Sequence, residues 1–304
     1  MIRAEYFMRE PRIAHSPKLI RKPEVSIMLP TYCRGDNGLL KRSIESVLSQ
    51  TFSSFELIVM DDGSTDGTAD LVSAYVKADE RIIHVRHDGN CGLPALRVNE
   101  ALLMARGDIC AYQFDDDQWT ANYLEKVAGA LQRSPDFEVA YGLCKSTYDG
   151  FPHLLGGPFN YAQLLAGNYI ANNTLLHRRS VFERLGGYDM HLVMRRLCDW
   201  DLWLRWGREA AFLSVYDEVV SIVEGGLAES LGKTVALDGL LTRAQMALNR
   251  NESLRPGALK SYVIDDLDHL EHLGQSKMDG VWRQQVAPYQ SRFRHIWTGE
   301  RRDG

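Results

Sequence analysis

The chain is 304 residues long, enough to bury a full core in one large α/β domain or two smaller ones. Apolar residues make up 45% and charged residues 25%, the balance of an ordinary globular protein, which excludes a disordered, collagenous or fibrous chain. Lys plus Arg is 35 against Asp plus Glu 40, a formal net charge of −5, which argues against broad nucleic-acid binding because that needs a basic footprint.

Five scattered cysteines (Cys33, Cys91, Cys110, Cys144, Cys198) form no Cys-x-x-Cys pair, so neither a disulfide framework nor a structural zinc site is expected. The first residues, MIRAEYFMREPRIAHSPKLIRKPE, are charged throughout and lack the apolar core of a signal peptide. No apolar run approaches the roughly 18 residues that span a bilayer. A reducing, cytoplasmic setting is expected.

Residues 1–23 read as an extension, with Pro11, Pro17 and Pro23 breaking any regular element. Val25–Leu29 is a short apolar run ended by Pro30, which predicts a buried strand. A helix follows with Leu40, Ile44, Val47 and Leu48 at helical spacing, capped by Asn37 or Asp36. Glu56–Met60 predicts a second strand, stopping at Asp61-Asp62-Gly63-Ser64. A helix carrying Ala69, Val72, Tyr75 and Val76 comes next, with Ser64 or Asp66 as candidate caps. Strand-like Arg81–Arg86, helical Pro94–Ala105 and strand-like Asp108–Phe114 continue the alternation. This is the pattern of βαβ units and a mostly parallel sheet flanked by helices.

Residues 145–180 read as loop-rich, and a Trp-rich helix is predicted around Asp199–Glu209. From residue 233 the pattern is helical, ending in a tail with Trp282, Arg283, Phe293, Arg294 and Trp297. That mixture suits a membrane surface, a partner or a homo-oligomer contact, or else helices packed back on the catalytic domain. The expected organisation is an extension at 1–23, a domain at 24–232 with halves 24–119 and 120–232, and a helical region at 233–304.

Polar clusters fall where strands end: Thr31-Tyr32-Cys33-Arg34, Asp61-Asp62-Gly63-Ser64 and Asp115-Asp116-Asp117. Open α/β sheets bind ligands past the carboxyl ends of their strands. Three consecutive carboxylates repel one another, and a hard divalent ion with oxygen ligands relieves that repulsion. A solvated acidic turn is the plain alternative. Asp62 suits hydrogen bonds from a base or ribose, while Asp, Gly and Ser there are also ordinary turn residues. His84, His87, His153, His177 and His191 share no ligand spacing and read as surface or loop residues. Trp119, Trp200 and Trp203 could stack on a sugar face, although packing is the commoner use.

The ordered segments VSIMLPTYCR, SIESVLSQTFSSFELIVMDDGSTDGT, NCGLPALRVNEAL, ARGD and FDDDQW resemble the nucleotide-binding half of the family 2 inverting glycosyltransferases, which have the GT-A fold. RRSVFERLGGYD and CDWDLWLRWG resemble that family's acceptor-side segment, so the resemblance runs from Val25 to about Gly226. It implies that Pro30, Thr31, Tyr32 and Arg34 hold the nucleotide, that Asp62 binds the base, and that Arg97 lies near the pyrophosphate. Asp115 and Asp116 match the metal and ribose-phosphate carboxylates. Asp199 matches the general base that deprotonates the acceptor hydroxyl, with Asp201 as the other carboxylate two positions on. Arg195 and Arg196 could contact phosphates or be solvated.

The departures are specific. The family's Asn after PTY is Cys33. Counted without gaps from Gly107, the first Asp of Asp-x-Asp falls on Phe114, so the metal role rests on Asp116, with Asp115 beside it and Asp117 outermost. The Glu before the base is Cys198, and Glu224 stands where many relatives place a metal-side His. A plain surface role for Glu224 is equally open.

The resemblance implies a metal-dependent inverting glycosyltransferase with Mn²⁺ or Mg²⁺ and a nucleotide-diphosphate sugar, UDP-sugar first and TDP-sugar second. Its acceptor would be a glycan, a lipid-linked molecule or another hydroxyl, in bacterial surface-polysaccharide or glycoconjugate synthesis. Work at the inner face of a membrane is compatible with it. Two alternatives stand beside it. A sugar-nucleotide nucleotidyltransferase shares this sheet type, but PTYCRGDNG is a poor version of its phosphate loop. A non-catalytic transferase-like module would fit the changes at Cys33, Phe114 and Cys198.

Overall fold

The computed structural model describes residues 11–19, 22–148, 151–190 and 194–224, and beyond them residues 242, 245–247, 249 and 250. Those last few are helical; the rest of the region expected from 233 to 304 lies outside the described residues.

The two most apolar runs become β2 (Val25–Thr31) and β3 (Phe55–Asp61), buried at every position. Such runs do not alternate because helices cover both faces of a parallel sheet. With β4 (Ile82–Arg86) and β5 (Ile109–Tyr112) they form a parallel block in the order β4-β3-β2-β5. The helices α1 (Leu39–Leu48), α2 (Thr68–Ala78) and α3 (Pro94–Met104) are its crossovers. Leu40, Ile44, Val47, Val72 and Val76 pack in one core layer, whereas Leu96, Val98 and Ala101 pack in a second. A buried carboxylate is built into this block. Glu56 in β3 accepts from Arg106 Nε at 2.8 Å and from Ser26 Oγ at 2.5 Å.

The second half continues the same sheet with β6 (Asp117–Trp119), a π-type turn at Leu124–Ala128 leading into α4 (Gly129–Arg133), β7 (Val139–Tyr148) and β8 (Phe151–Leu155). Then come α5 (Tyr161–Ala166), β9 (Leu175–Arg178), α6 (Arg179–Leu185), α7 (Cys198–Trp206) and β10 (Phe212–Glu224). With β1 (Arg12–His15) at the edge, the full order is β1-β4-β3-β2-β5-β9-β7-β10-β6, with β8 on β7. β9 runs antiparallel to both β5 and β7 and so splices the halves into one sheet. Trp203 and Trp206 of α7 are fully buried in the same core layer as α3.

Several expectations are corrected. Pro11 and Pro17 do not break the extension: β1 (Arg12–His15) forms between them and pairs antiparallel with β4. Proline is tolerated at the ends of an edge strand, where no ladder donor is needed. The stretch 145–180 holds β8, α5 and β9 as well as the end of β7. Neither Asp36 nor Asn37 is the cap of α1. Gly38 occupies that position at φ 78°, and Asn37 Oδ1 accepts from Leu39 N. Likewise Gly67 precedes α2, with Asp66 Oδ1 accepting from Thr68 N. His84, His87 and His177 are buried, not surface residues. His177 accepts from the Tyr112 hydroxyl and donates to Arg178 O, and burial lowers its pKa to about 4, so it packs as a neutral ring.

Candidate active site

The loop after β2 is pressed against the loop after β3. Arg34 N and Gly35 N both donate to Thr68 Oγ1, Gly35 N also donates to Asp66 Oδ2, and Cys33 N donates to Ser64 Oγ. A Cβ on Gly35 would stand 2.2 Å from Thr68 N, so only glycine permits this approach. Cys33 itself takes φ 52°, a conformation that Asn adopts more readily than Cys. The clamp turns Thr31, Tyr32 and Arg34 toward the end of β5. There Tyr32 N donates to Asp115 Oδ2 at 3.4 Å, and Arg34 Nε lies 3.6 Å from Asp115 Oδ1. Pro30 lies within β2, paired with Met60.

Burial and the charge of Asp116 push Asp115 up to about 7 despite Arg34. Asp116 is raised as well, chiefly by burial. Asp117 departs from expectation. It is 7% exposed on β6, opposite Val223 of β10, and burial holds its carboxyl well above the usual range near Asn173. It is not the outermost carboxylate, because β6 pairs into the sheet and carries Asp117 inward. Phe114 packs against the core and offers no oxygen from its side chain. Glu224 ends β10 opposite Thr147, and its side chain lies outside the described residues. Among the described residues no group of three or more His, Cys, Asp or Glu side chains is arranged to hold a metal.

Asp62 is more deeply engaged than its sequence suggests. It accepts from Cys91 N, Gly92 N and Arg97 Nε, the last at 2.6 Å. Arg97 is 2% exposed and also donates to Glu100 Oε2 at 2.7 Å, while His87 Nε2 lies 3.1 Å from the same oxygen. Burial opposes ionisation of Glu100, yet Arg97 and His87 bring it down to about 2. Arg97 thus organises the loop under Asp62 from an almost fully buried position. Arg195 is one of the two cations, with Arg196, whose role the sequence left open. It approaches Asp62 and Cys91 electrostatically, and its Nε is buried with no hydrogen-bond partner among the described residues. Nothing local signals this, because β3 and the segment before α7 meet only in the fold.

The two carboxylates of α7 have opposite settings. Asp201 is fully buried, accepts from Arg205 Nε at 2.8 Å and takes a hydrogen bond from Asn249 Nδ2. Asp199 is partly exposed and accepts from Asn168 Nδ2 at 3.1 Å, and burial raises it to about 6. Trp119 and Trp200 donate from their indole nitrogens to Asn173 O and Leu164 O. With Trp203 in the core, all three tryptophans pack.

This sheet, with its charged groups gathered beyond β2, β3 and β5, defines the GT-A class. TarS of S. aureus, solved with UDP-GlcNAc, superposes with a TM-score of 0.61 at 19% identity, over 75% of this chain and 67% of that one. Residues 26–161 match Glycosyl transferase family 2. EpsE of Bacillus subtilis, named as a glycosyltransferase, is 32% identical over 192 residues, covering 62% of this chain and 68% of its own. TuaG of Bacillus subtilis, named for teichuronic acid biosynthesis, is 38% identical over 132 residues, 43% of this chain and 51% of its own. The chain belongs to glycosyl transferase family 2 and is a glycosyltransferase. That sets aside the nucleotidyltransferase alternative. Among the described residues no helix is long and apolar enough to cross a membrane.

Proposed function

We propose that this glycosyltransferase moves a sugar, with inversion, from a nucleotide-diphosphate sugar to a hydroxyl acceptor in bacterial surface-polysaccharide or glycoconjugate synthesis. The observation that carries this reading is the Asp115–Asp116 pair beside Arg34 at the end of β5. Two carboxylates with raised pKa values, close to a guanidinium, suit a divalent cation shared with a diphosphate. Magnesium and manganese are commonly held through one or two carboxylates plus phosphate oxygens, so this pair fits without a full protein cage. Asp117, turned inward, is not needed for it. When bound, such an ion neutralises charge on the leaving diphosphate.

Relatives support the donor and the setting. TarS was solved with UDP-GlcNAc, and a Pyrobaculum calidifontis mannosyltransferase of the same fold (TM-score 0.52) with GDP-Man and Mn²⁺. TuaG is named for teichuronic acid biosynthesis. UDP-sugar is the donor to test first.

The chemistry follows from the chain's own groups. Thr31, Tyr32 and Arg34 line the nucleotide side, and Asp62 offers its remaining lone pairs to the base. Arg34 and Arg195 bring positive charge to the diphosphate. Asp199 takes the proton from the acceptor hydroxyl while that oxygen bonds the anomeric carbon. The carbon–oxygen bond to the diphosphate breaks, and the diphosphate leaves with the electron pair. A base near pKa 6 is largely ionised at neutral pH and still accepts a proton in the transition state.

Calorimetry of UDP and a panel of UDP-sugars, with and without Mn²⁺, tests the reading. Mn²⁺-dependent binding that disappears in Asp116→Ala is expected. Equal affinity with and without metal in both proteins would overturn the metal assignment.

A further inference from the structure

We propose that Asn168 is a positioning residue for the Asp199 carboxylate, holding Asp199 Oδ2 through Nδ2 at 3.1 Å while its own Oδ1 accepts from Ile170 N at 3.2 Å. The inference rests on Asp199 being the general base. Asn168 lies in the loop after α5, outside every sequence segment that pointed to the site.

Three features carry it. The first is the direction of the amide. An asparagine carbonyl can only accept and its NH₂ can only donate, so the bond from Ile170 N fixes which end faces Asp199. The second is the mounting of the loop. Trp200, next to Asp199, donates from its indole to Leu164 O in α5 at 2.7 Å, and Leu164 is fully buried. The loop carrying Asn168 is therefore tied to the turn of helix carrying the base. The third is the chemistry required. A base must present its carboxylate to the acceptor in a fixed direction, and the bond to Oδ2 helps fix that direction.

The bond also works against burial. Burial favours the neutral acid, whereas a donated hydrogen bond favours the carboxylate. Among the described residues the titratable groups facing Asp199 are Tyr188, from the segment after α6, and Cys198, its neighbour on α7. Burial holds both well above their ordinary values, so both are neutral where Asp199 titrates. The Tyr188 hydroxyl is itself committed to Asn172 Oδ1. The backbone amides of Trp200 and Asp199 stabilise the charged form, and Asn168 is the side chain that adds to them.

Two variants separate positioning from a turn-forming role. Asn168→Asp keeps an acceptor for Ile170 N and removes the donor; Asn168→Ala removes both. The Asp199 carboxyl is titrated in the full chain by infrared difference spectroscopy, with Asp199→Asn assigning the band. Its midpoint should rise by about one unit in Asn168→Ala, and further in Asn168→Asp, where a second negative charge faces it. The acid limb of Mn²⁺-supported UDP-GlcNAc hydrolysis should move by the same amount. An unchanged midpoint in both variants, or in Asn168→Ala if Asn168→Asp does not fold, overturns the proposal. Full turnover in Asp199→Asn would instead overturn Asp199 as the base, whatever the Asn168 variants show.

Discussion

Arg97 Nε donates to Asp62 Oδ1 at 2.6 Å, and both side chains are almost fully buried. The pair pins the loop at Cys91–Gly92, whose amides point at the same carboxylate. Removing one partner strands a buried charge, which typically costs about 3–5 kcal/mol. Asp62→Ala should therefore lower folding stability on that scale, read as a drop in the urea midpoint, besides weakening nucleotide binding. Near-native stability with weakened UDP binding would make Asp62 a ligand group alone.

The contrast between Asp199 and Asp201 gives a paired prediction. Asp199→Asn should reduce turnover by about 10²–10⁴ while the affinity for UDP is unchanged. Asp201→Asn should act on the fold instead, lowering Tm by disturbing the pair with Arg205 and the bond from Asn249. Product formation, UDP titration and thermal melts on both variants check this. Normal turnover in Asp199→Asn with loss in Asp201→Asn would move the base two residues along.

Acid stability should depend on Glu100. Its folded pKa of about 2 lies below the ordinary 4.5, so its contribution is present above pH 4.5 and is lost as pH falls toward 2. Glu100→Gln should remove about 2–3 kcal/mol of stability at pH 7 and flatten the acid side of the stability profile. Denaturant titrations at several pH values read this directly. An unchanged slope below pH 4.5 would contradict it.

Asp199 has the opposite sign. Its folded pKa of about 6 lies above the ordinary 3.8, so its stabilising share is full below pH 3.8 and lost as pH rises through 6. Asp199→Asn should therefore be more stable than the parent at pH 8, with the gap closing in acid. A variant less stable at pH 8 would show that the carboxylate supports the fold.

Arg195→Met should weaken binding of UDP about tenfold, the effect of one lost charge-assisted hydrogen bond, with little change in Tm. Its buried Nε has no hydrogen-bond partner among the described residues, so no bond from that atom is lost when it goes. Calorimetry with UDP decides this, and unchanged affinity would place Arg195 outside the phosphate subsite.

The sequence by itself determined the parallel block and the location of its polar clusters. Runs such as Ile27–Leu29 and Leu57–Met60 are apolar without alternation, which burial on both faces explains, and the turn residues mark where each strand ends. Tertiary structure alone decided the rest. β9 is four residues long and carries His177 and Arg178, so no local pattern marks it. It is a strand because β5 and β7 supply its hydrogen bonds from partner residues more than thirty positions away. The acidic triplet reads as one cluster, but β6 carries Asp117 inward and leaves Asp115 and Asp116 beside Arg34. Asp199 and Asp201 look equivalent along the chain. Asn168, Arg205 and Asn249, brought in from other parts of the chain or from the next turn of α7, make one a candidate base and the other a structural ion pair. Spacing along a chain fixes which face a residue occupies; its charge state depends on neighbours that only folding supplies.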